Sequence, residues 1–487
     1  MLFEKVLVAN RGEIAVRVMK TLRRLGIRSV AVYSEVDECA LHVGTADQAI
    51  NIGGAAPTDS YLDGMTVLDA AEESGAEAVH PGYGFLSENP TFAEACEERG
   101  FKFVGPSSGT LTLTGDKLEC KKLAMQAGVP VIPGSESPVG SLYEAEEVAE
   151  RIGYPVMLKT AYGGGGLGIR EVTSKEELGE RYSNAVGEAM RAFGRASMYV
   201  EKIVTPARHV EVQILADGKG RVAHLGEREC SIQRRHQKLI EMTPSPAVDD
   251  LLRERLGRYA VTMAERVGYE NAGTAEFLLD GDGSPFFLEV NSRIQVEHPV
   301  TEMVTGLDLV AEQLAIAAGE GMSVPKGGVE RDGAAIECRV NAEDPLRRFL
   351  PSSGIVRRLS LPKGEGVRVD SSLYQGCEVP AFYDSLVAKV IVHGRSLEEA
   401  RRKMVAALDD FEIEGLATTI PLQQELMSSD ALLQWDLSTD FISKNGILDR
   451  LAARMEERRA RELRVRAELA AEMTRVYGRP RSRDQEN

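Results

Sequence analysis

The order of apolar and polar residues near the N-terminus predicts a β-α-β unit. The apolar run "KVLVA" (5–9) precedes an amphipathic helix pattern, with apolar residues at Ile14, Val18 and Leu22 and a glycine stop at Gly26. A second β-rich run, "IRSVAVY", follows at once, and "AEAVHPGYGF" and "GFKFVGPS" each come after another helical pattern. These residues predict an open parallel sheet with helices on both faces, which is an α/β, Rossmann-like fold. The first strand lacks a glycine fingerprint after it, so dinucleotide binding is not indicated.

From about Asp116 onward the pattern changes to helices mixed with longer strand-like runs. The stretch "GTAEFLLDGDGSPFFLEVN" reads as a hairpin, because "DGDGSP" between two β-rich runs is a strong turn signal. We therefore expect an α+β middle segment. From "AAIECRVNAED" to about Phe441, short strands surround the helix pattern "SLEEARRKMVAALDDF", which indicates a smaller mixed domain packed on the others.

Length, charge and cysteine spacing narrow the class of protein. At 487 residues the chain is long enough for about two to four domains. It has no run of about 18 apolar residues, and acidic residues interrupt its N-terminal apolar stretch, so we expect no membrane span, no signal peptide and a cytoplasmic location. A net charge of −17 argues against nucleic-acid and anionic-membrane binding. The six cysteines are scattered singly, which predicts buried small residues and neither a zinc site nor a disulfide framework.

The stretch "GGGGLG" (163–168) is the first candidate for chemistry. It matches GxGxxG formally, but β-rich residues follow it where a dinucleotide fingerprint requires a helix. Four glycines between strand-like runs instead predict a mobile hairpin loop whose bare amides close over phosphate oxygens, although an ordinary flexible loop has the same pattern. Lys159, on the strand entering the loop, adds a positive charge for those phosphates. The chain contains no GxxxxGK[ST], so a nucleotide would be bound without a P-loop.

The predicted hairpin places two carboxylates side by side. Folding it about its turn brings Glu276 near Glu289, and two such charges at about 4 Å repel by roughly 4 kcal/mol at an effective dielectric constant near 20. A cation is therefore expected between them, unless the two carboxylates point apart at the surface. With the amide oxygen of Asn291 they form a hard-oxygen set that suits Mg²⁺ or Mn²⁺.

Charged and polar residues next to this hairpin extend the candidate site. Arg293 can orient a planar anion through two hydrogen bonds, and Glu297 can take its proton, although a structural ion pair would look identical in sequence. The segment "CSIQRRHQKLIE" adds polar groups in a basic setting, namely Gln233, His236 and Lys238. A solvated strand has the same composition.

These motifs, in this order, resemble the biotin carboxylases, which are members of the ATP-grasp superfamily. The resemblance runs from "VLVANRGEIAVRV" to about Phe441, which is nearly the whole chain apart from its tail. The motifs that carry it are "HPGYGFLSEN", "GDK", "LKTAYGGGGLGIR", "ECSIQRRHQK", "GTAEF", "NSRIQVEHPVTE", "ECRVNAED" and "YDSLVAKVI".

The resemblance implies both a domain order and a reaction. The domains would be an N-terminal biotin carboxylase α/β domain (1–114), an ATP-grasp domain (115–333, with a glycine-loop lid at about 131–203), a C-terminal mixed α+β domain (334–446) and a charged helical tail (447–487). The implied activity is that of an ATP-dependent ligase that carboxylates biotin with bicarbonate through carboxyphosphate. Its cofactors would be ATP, Mg²⁺ or Mn²⁺, and biotin on a separate carrier protein.

The resemblance also implies roles for individual residues. Metal positions are Glu276, Glu289 and Asn291. Nucleotide-binding positions are Lys117, Lys159, Gly165, Gly166, Glu201, Lys202, Val204, His209, Gln233 and His236. Bicarbonate positions are Lys238, Arg293, Gln295 and Val296. Biotin positions are Arg339, which steadies the ureido oxygen, and Tyr83. Catalytic positions are Arg293, Lys238, Arg339 and Glu297, the last as the base that deprotonates bicarbonate.

Two departures from the family pattern stand in these motifs. Many members carry arginine directly after the four glycines, where this chain has Leu167, and often Gly-Met afterwards, where it has Ile169. One phosphate contact would then be lost, and we expect Leu167→Arg to lower the KM for ATP. The common "NTR" before "IQVEH" is "NSR" here, and Ser292 keeps the hydroxyl group.

An Ala-Met-Lys-Met-like biotin-accepting hairpin does not occur in these residues, so we expect the biotin on another polypeptide. The expected partners are a carboxyltransferase subunit together with a biotin carboxyl carrier protein or biotinylated subunit. The family also suggests a homodimer. The acceptor is undecided between pyruvate and acetyl-CoA, and propionyl-CoA and 2-oxoglutarate carboxylases share the half-reaction. The helical tail has an apolar stripe at Leu448, Leu451 and Met455, typical of either a solvated terminal helix or a partner-binding one.

Two other functions fit part of the pattern. A different ATP-grasp ligase, joining a carboxylate to an amine, would use the same glycine loop, lysines and carboxylate pair, but "RIQVEH" and "ECRVNAED" favour biotin chemistry. A non-catalytic scaffold of the same fold would be expected to lose metal or base residues, and all of them are present.

Overall fold

The computed structural model describes residues 2–160, 170–193 and 198–477, without the side chains of residues 192, 193, 474, 476 and 477. The first part is the predicted parallel sheet, with strand order β3-β2-β1-β4-β5. Its strands are β1 (Lys5–Val8), β2 (Arg28–Tyr33), β3 (Gln48–Asn51), β4 (Ala78–His80) and β5 (Lys102–Phe103). Its helices are α1 (Gly12–Leu25), α2 (Leu41–Thr45), α3 (Gly64–Ser74), α4 (Pro90–Glu98) and α5 (Ser108–Gly115), with 3₁₀ turns at Glu35–Asp37 and Pro57–Asp59.

Helix α1 shows why this part folds as predicted. Ile14, Val18 and Leu22 are buried against the sheet, and Gly26 ends the helix with φ of 73°, a left-handed conformation that glycine adopts without steric cost.

A small three-stranded unit follows, with the antiparallel order β7-β6-β8. Its core is its own, formed by residues such as Leu158, Leu178 and Val200. The elements from residue 116 to the end of this unit are α6 (Lys117–Gln126), α7 (Leu142–Ile152), β6 (Val156–Thr160), β7 (Arg170–Val172), α8 (Lys175–Phe193) and β8 (Met198–Lys202). The glycine loop, with Gly165, Gly166, Leu167 and Ile169, lies outside the described residues.

The remaining strands build one large antiparallel sheet and several short pairs. The first group is β9 (Arg208–Asp217), β10 (Val222–Arg234), β11 (Gln237–Thr243), α9 (Asp250–Arg266), β12 (Glu270–Leu279), β13 (Pro285–Asn291), α10 (His298–Thr305) and α11 (Leu309–Ala317). The second group is β14 (Ala334–Asn341), β15 (Glu343–Asp344), a 3₁₀ turn (Pro345–Arg347), β16 (Leu350–Pro351), β17 (Gly354–Ile355), β18 (Arg358–Ser360), β19 (Val367–Ser371), β20 (Glu378–Val379) and β21 (Leu386–Gly394). The last group is α12 (Leu397–Asp410), β22 (Glu412–Glu414), α13 (Ile420–Met427), α14 (Asp430–Leu433), α15 (Phe441–Lys444) and α16 (Ile447–Tyr477).

The large sheet crosses the boundary that the sequence pattern suggests near residue 333. Its order is β13-β12-β9-β10-β11-β14-β21-β19, so the middle and C-terminal segments contribute strands to the same sheet. Strands β11 and β14 pair in antiparallel register, with Ile240 opposite Cys338 and Met242 opposite Ile336. One hydrogen-bonded frame therefore carries side chains from both segments.

The N-terminal turns of the tail helix α16 are buried in the core, and its later turns are exposed. Ile447 and Leu451 are buried, and Leu448 and Met455 pack against the same hydrophobic cluster. Further along, Leu463, Val465, Leu469 and Met473 are each about half exposed. The first turns of α16 therefore belong to the hydrophobic core of the C-terminal segment.

The cysteines differ from the prediction at one position. Five of the six cysteines are buried, but Cys39 is exposed, so the expectation that all six are buried is wrong at this position. Within the described part of the chain, no helix combines the length and apolar character needed to cross a membrane.

Candidate functional site

A cavity of about 920 Å³ lies between the parallel sheet, the three-stranded unit and the polar face of the large sheet. The predicted site residues that line it come from all three parts. They are Tyr83, Lys159, Lys202, Val204, His209, Gln233, His236, Lys238, Glu276, Glu289, Asn291, Arg293, Gln295, Val296, Glu297 and Arg339. Lys117 and Glu201 stand just behind this lining, each paired with a lining residue.

The predicted hairpin is confirmed by the register of β12 and β13, which places Glu276 directly opposite Glu289. On its other side Glu276 faces Glu211 of β9, so three carboxylates stand side by side across three strands. Lys238 Nζ contacts Glu211 and lies 2.9 Å from Glu276 Oε1, and Lys117 Nζ lies 2.6 Å from Glu289 Oε2. Lysine side chains therefore neutralise the row of like charges.

The pKa of Lys238 is set by the charges of the carboxylates around it. Burial alone lowers the pKa of a lysine, but the carboxylates of Glu211, Glu276 and Glu297 outweigh burial and hold the Lys238 pKa well above its usual range. Burial likewise acts to raise the pKa of Glu276, yet Lys238 and His209, whose Nε2 lies 3.0 Å from Glu276 Oε2, hold it well below the usual range. Both groups are charged at neutral pH.

The donor set on the hairpin fits a hard divalent cation. Glu276, Glu289 and Asn291 supply two carboxylates and one amide oxygen from adjacent strands, an all-oxygen set of the kind that Mg²⁺ and Mn²⁺ take. Glu276 and Glu289 are each already paired with a cationic side chain, which shows that this face of the sheet attracts positive charge.

Arg293 is held in place by a residue that the sequence did not single out. Its Nε donates to Glu88 Oε2 at 2.9 Å, and the Ser292 amide donates to the other oxygen of Glu88 at 3.2 Å. The remaining guanidinium nitrogens donate to Gln295 Oε1 at 2.9 Å and to Asn291 Oδ1 at 3.3 Å. The guanidinium therefore lies at the end of β13 with its plane fixed by several acceptors.

Glu297 is fully buried and is approached by two cations. Lys238 Nζ donates to Oε1 at 2.7 Å, and an Arg339 terminal nitrogen donates to Oε2 at 2.9 Å. Burial acts to raise the pKa of Glu297, but Lys238, Arg339 and Arg228 outweigh it and hold the pKa well below the usual range. The carboxylate is therefore deprotonated at neutral pH. Next to it, Lys389 Nζ donates to the Val296 carbonyl at 2.8 Å and fixes that stretch of backbone.

Arg339 links Glu297 to a second buried carboxylate, Glu241. The Arg339 Nε donates to Glu241 Oε1 at 2.5 Å. Burial raises the pKa of Glu241 to about 7 although Arg339 acts in the opposite direction. Glu337 stands opposite Glu241 on the neighbouring strand and is also fully buried. Arg339 therefore approaches the cavity from a stretch of sheet rich in buried acid groups.

Three residues expected at the nucleotide, Lys159, Glu201 and Lys202, lie on strands of the three-stranded unit. Glu201 accepts from Lys159 at 2.6 Å and from Lys121 at 2.9 Å. Lys202 lines the cavity while its Nζ donates to the Gly153 and Tyr154 carbonyls. Tyr83, expected at biotin, also lines the cavity, and its hydroxyl donates to Glu13.

Sequence reasoning missed several residues of this network. Arg228 is fully buried and donates to Glu211 and Gln213 at 2.6 Å each, as well as to Thr274 and Thr301. A signal was available, because polar residues occupy every second position of "HVEVQ" in β9, which marks a polar face on an otherwise apolar strand. Other residues of the network that were missed include Glu88, Lys121, Glu211 and Glu241.

Three protein-family models match the chain in sequence order. Biotin carboxylase, N-terminal domain, matches residues 2–111. Carbamoyl-phosphate synthase L chain, ATP binding domain, matches residues 116–324. Biotin carboxylase C-terminal domain matches residues 337–444.

The chain is also similar to individual proteins along nearly its whole length. One of the subunits of the Methanothermobacter thermautotrophicus pyruvate carboxylase is 50% identical over 443 residues, covering 91% of this chain and 90% of that protein. Biotin carboxylase 1 of Bacillus subtilis is 48% identical over 448 residues, covering 92% and 100%. A solved dimer of the biotin carboxylase domain of Hydrogenobacter thermophilus 2-oxoglutarate carboxylase, with MgADP, ADP and bicarbonate, matches with a TM-score of 0.89. That match has 46% identity and covers 92% of this chain and 99% of the other.

Proposed function

The chain belongs to the biotin carboxylase family, and we infer from the geometry of its cavity which residues carry out the reaction. It is an ATP-dependent ligase that carboxylates biotin, presented by a carrier protein, with bicarbonate as the carbon source. The observation that supports the division of roles is the meeting of Lys238 and Arg339 on the two oxygens of Glu297, with Arg293 lining the same cavity.

The nucleotide end is assigned to the lysines and carboxylates near the three-stranded unit. Lys117 and Lys159 are already held by carboxylates, so they are oriented before the phosphates of ATP arrive. Glu276, Glu289 and Asn291 would hold Mg²⁺ or Mn²⁺, which when bound supplies positive charge to the phosphates. The second lysine on Glu201, Lys121, limits the movement of that carboxylate.

Bicarbonate is assigned to the space between Lys238, Arg293 and the backbone at Val296. An anion entering there offsets the positive charge that keeps Glu297 strongly acidic, so the proton affinity of Glu297 rises when the substrate arrives. Glu297 then takes the bicarbonate proton as a bicarbonate oxygen attacks the γ-phosphorus and ADP leaves. The product of this step is carboxyphosphate.

Arg339 is assigned to the ureido oxygen of biotin, where its positive charge stabilises the negative charge that develops when N1 loses its proton. Carboxyphosphate breaks down to CO₂ and phosphate, the phosphate takes the N1 proton, and the N1–carbon bond forms. Arg339, assigned to biotin, and Lys238, assigned to bicarbonate, therefore both contact the carboxylate of Glu297. Tyr83, which lines the same cavity, is assigned to packing beside biotin.

The test is ADP release by the purified chain with MgATP, free biotin and bicarbonate, each component being omitted in turn. We expect release to require both biotin and bicarbonate. Release driven instead by an amine together with another carboxylate would move the protein to the carboxylate-amine ligases. If free biotin gives no release, the same omissions are repeated with a biotinylated carrier protein, and no release there would refute the function.

The partners and the acceptor extend this proposal. The chain would form a homodimer, as in the solved Hydrogenobacter thermophilus relative, and would pass carboxybiotin to a carboxyltransferase subunit. The acceptor stays undecided between pyruvate and acetyl-CoA, and the relatives include one named for pyruvate carboxylase and one named for 2-oxoglutarate carboxylase.

The exposed end of α16 is the candidate for holding the carboxyltransferase subunit. Deletion from residue 447 would remove Ile447 and Leu451 from the core, so the informative truncation removes residues 460–487. We expect that truncated chain to keep its turnover of free biotin and to lose co-elution with the carboxyltransferase subunit. An unchanged complex would refute this role of the tail.

A further inference from the structure

We propose that a basic rim at the mouth of the cavity, formed by Arg234, Arg235, Arg347 and Arg348, docks an acidic face of the biotin carrier protein. The proposal rests on the proposed function, because it names the surface that receives the carrier at that same site. The catalytic assignments above use none of these four arginines.

The rim is built from two turns that lock together. One is the turn between β10 and β11, where Arg235 and His236 have φ of 49° and 66°. The other lies between β15 and β16, where Arg348 and Phe349 have φ of 55° and 60°. Left-handed backbone is costly for residues other than glycine, so two consecutive pairs mean that the surrounding contacts hold both turns in one shape.

Arg234 makes the contact between the turns. Its guanidinium carbon lies 3.7 Å from the centre of the Phe349 ring, and a terminal nitrogen donates to the Arg348 carbonyl at 3.3 Å. This stacking leaves the neighbouring side chains of Arg235 and Arg348 directed at solvent, where both residues are exposed. The rim therefore combines a backbone held in one shape with exposed charged side chains.

The charge of the rim is unbalanced within a strongly acidic protein. The net charge of the chain is −17, yet no described carboxylate lies within ion-pair distance of Arg234, Arg235 or Arg348. Arg347 has only a contact of 3.7 Å to Asp344. Burial and then the positive field of Arg235 lower the pKa of Arg234, and the charge of Glu343 acts in the opposite direction. Such a field attracts an acidic partner and raises its association rate.

Apolar side chains in the same turn complete a docking surface. Leu346 and Leu350 flank the arginine pair and are 46% and 60% exposed. A partner that covers them while pairing with the arginines would bury apolar area at the centre and keep charges at the edge, the usual arrangement of a protein interface.

The position of the rim identifies the partner. Arg234, His236 and Phe349 line the cavity that also contains Lys238 and Arg339. Biotin must reach Arg339 through this mouth while its carrier stays outside, so the carrier has to rest against the surface beside the opening. Arg339 is on β14, and the turn with Arg347 and Arg348 follows β14 after the short strand β15, so the rim lies beside the position assigned to biotin.

The experiment compares the wild-type chain with the double variant Arg235→Glu/Arg348→Glu. Two substrates are used, free biotin and the biotinylated carrier protein of the same organism. The matched control is Arg255→Glu/Arg402→Glu, which makes the same change of charge at two exposed arginines of α9 and α12 outside the cavity lining.

We expect the rim variant to raise the KM for the carrier at least tenfold while kcat/KM for free biotin and the KM for ATP stay as in wild type. For wild type, the KM for the carrier should rise with salt concentration and that for free biotin should not. A carrier KM equal to that of the control variant, with free biotin still carboxylated, would overturn the docking surface and leave the function intact. A raised KM for ATP would overturn it as well, because the rim would then serve the nucleotide. If wild type carboxylates neither substrate, the proposed function fails and the docking surface falls with it.

Discussion

Replacing Glu297 by glutamine tests the base assigned to the reaction. Glu297 is fully buried, with Lys238 Nζ 2.7 Å from one oxygen and Arg339 2.9 Å from the other. Glutamine keeps the shape of the side chain and one acceptor oxygen, but it carries no negative charge and cannot take a proton from bicarbonate. The variant therefore separates proton transfer from packing.

The expected loss of activity is large and the expected loss of stability is small. Removing a positioned general base lowers kcat by about 10²- to 10⁴-fold, which corresponds to about 3–5 kcal/mol in the activation free energy. Lys238 keeps Glu211 and Glu276 as partners, and Arg339 keeps Glu241. Neither buried cation is left alone, so the free energy of unfolding should fall by only about 1 kcal/mol.

The assay is steady-state ADP release that depends on both biotin and bicarbonate, measured together with ATP affinity and thermal unfolding. The control is Glu312→Gln, which changes another buried carboxylate, one that accepts from Ser323 away from the cavity. If Glu297→Gln lowers kcat by less than about threefold, or only as much as the control does, Glu297 is not the base. A loss of ATP binding equal to the loss of kcat would also refute the reasoning.

Further predictions follow from the buried network. Glu241 has a pKa raised from 4.5 to about 7, so the folded chain holds a proton that the unfolded chain releases, and stability should fall as pH rises from about 4.5 to 7. Glu241→Gln should flatten this part of the profile of melting temperature against pH and raise the KM for biotin, whereas a profile parallel to wild type would contradict the assignment. Arg228→Met should destabilise the chain by about 3–5 kcal/mol, because it leaves Gln213 and one oxygen of Glu211 buried without the Arg228 donor, while Lys238 stays on the other oxygen of Glu211. Adding Glu211→Gln should recover part of the lost melting temperature, and a double variant no more stable than the single one would contradict the proposed pairing.

The elements that depend on local sequence were predictable. Helix α1 follows from its apolar spacing and its glycine stop, and the Glu276–Glu289 pair follows from a turn of known chemistry between two β-rich runs. In both cases, residues close in sequence determine the contact. The family resemblance added the fold and the reaction, because several long motifs occur in one order.

The contacts that join distant segments were not predictable in the same way. Glu88 and Arg293 are 205 residues apart, and nothing in either motif indicates that they meet. Glu241 and Arg339 meet because β11 and β14 are neighbours in the large sheet, and strand order is not encoded in the period of either strand. Sequence periodicity tells which face a residue occupies, whereas its partner depends on the neighbouring strand.

The sheet that runs through the middle and C-terminal segments also limits how this protein can be divided. A cut near residue 333 leaves the register of Ile240 with Cys338 and of Met242 with Ile336 unmade, and each fragment would present an open strand edge to solvent. Unpaired edges of this kind pair with other chains, so fragments made there should aggregate. A chimera with a homologue, or a split reporter, would need to exchange the whole sheet as one block. Neither the middle nor the C-terminal segment contains all the strands of the large sheet, so the smallest part of this protein that can be exchanged without exposing a strand edge is larger than either segment.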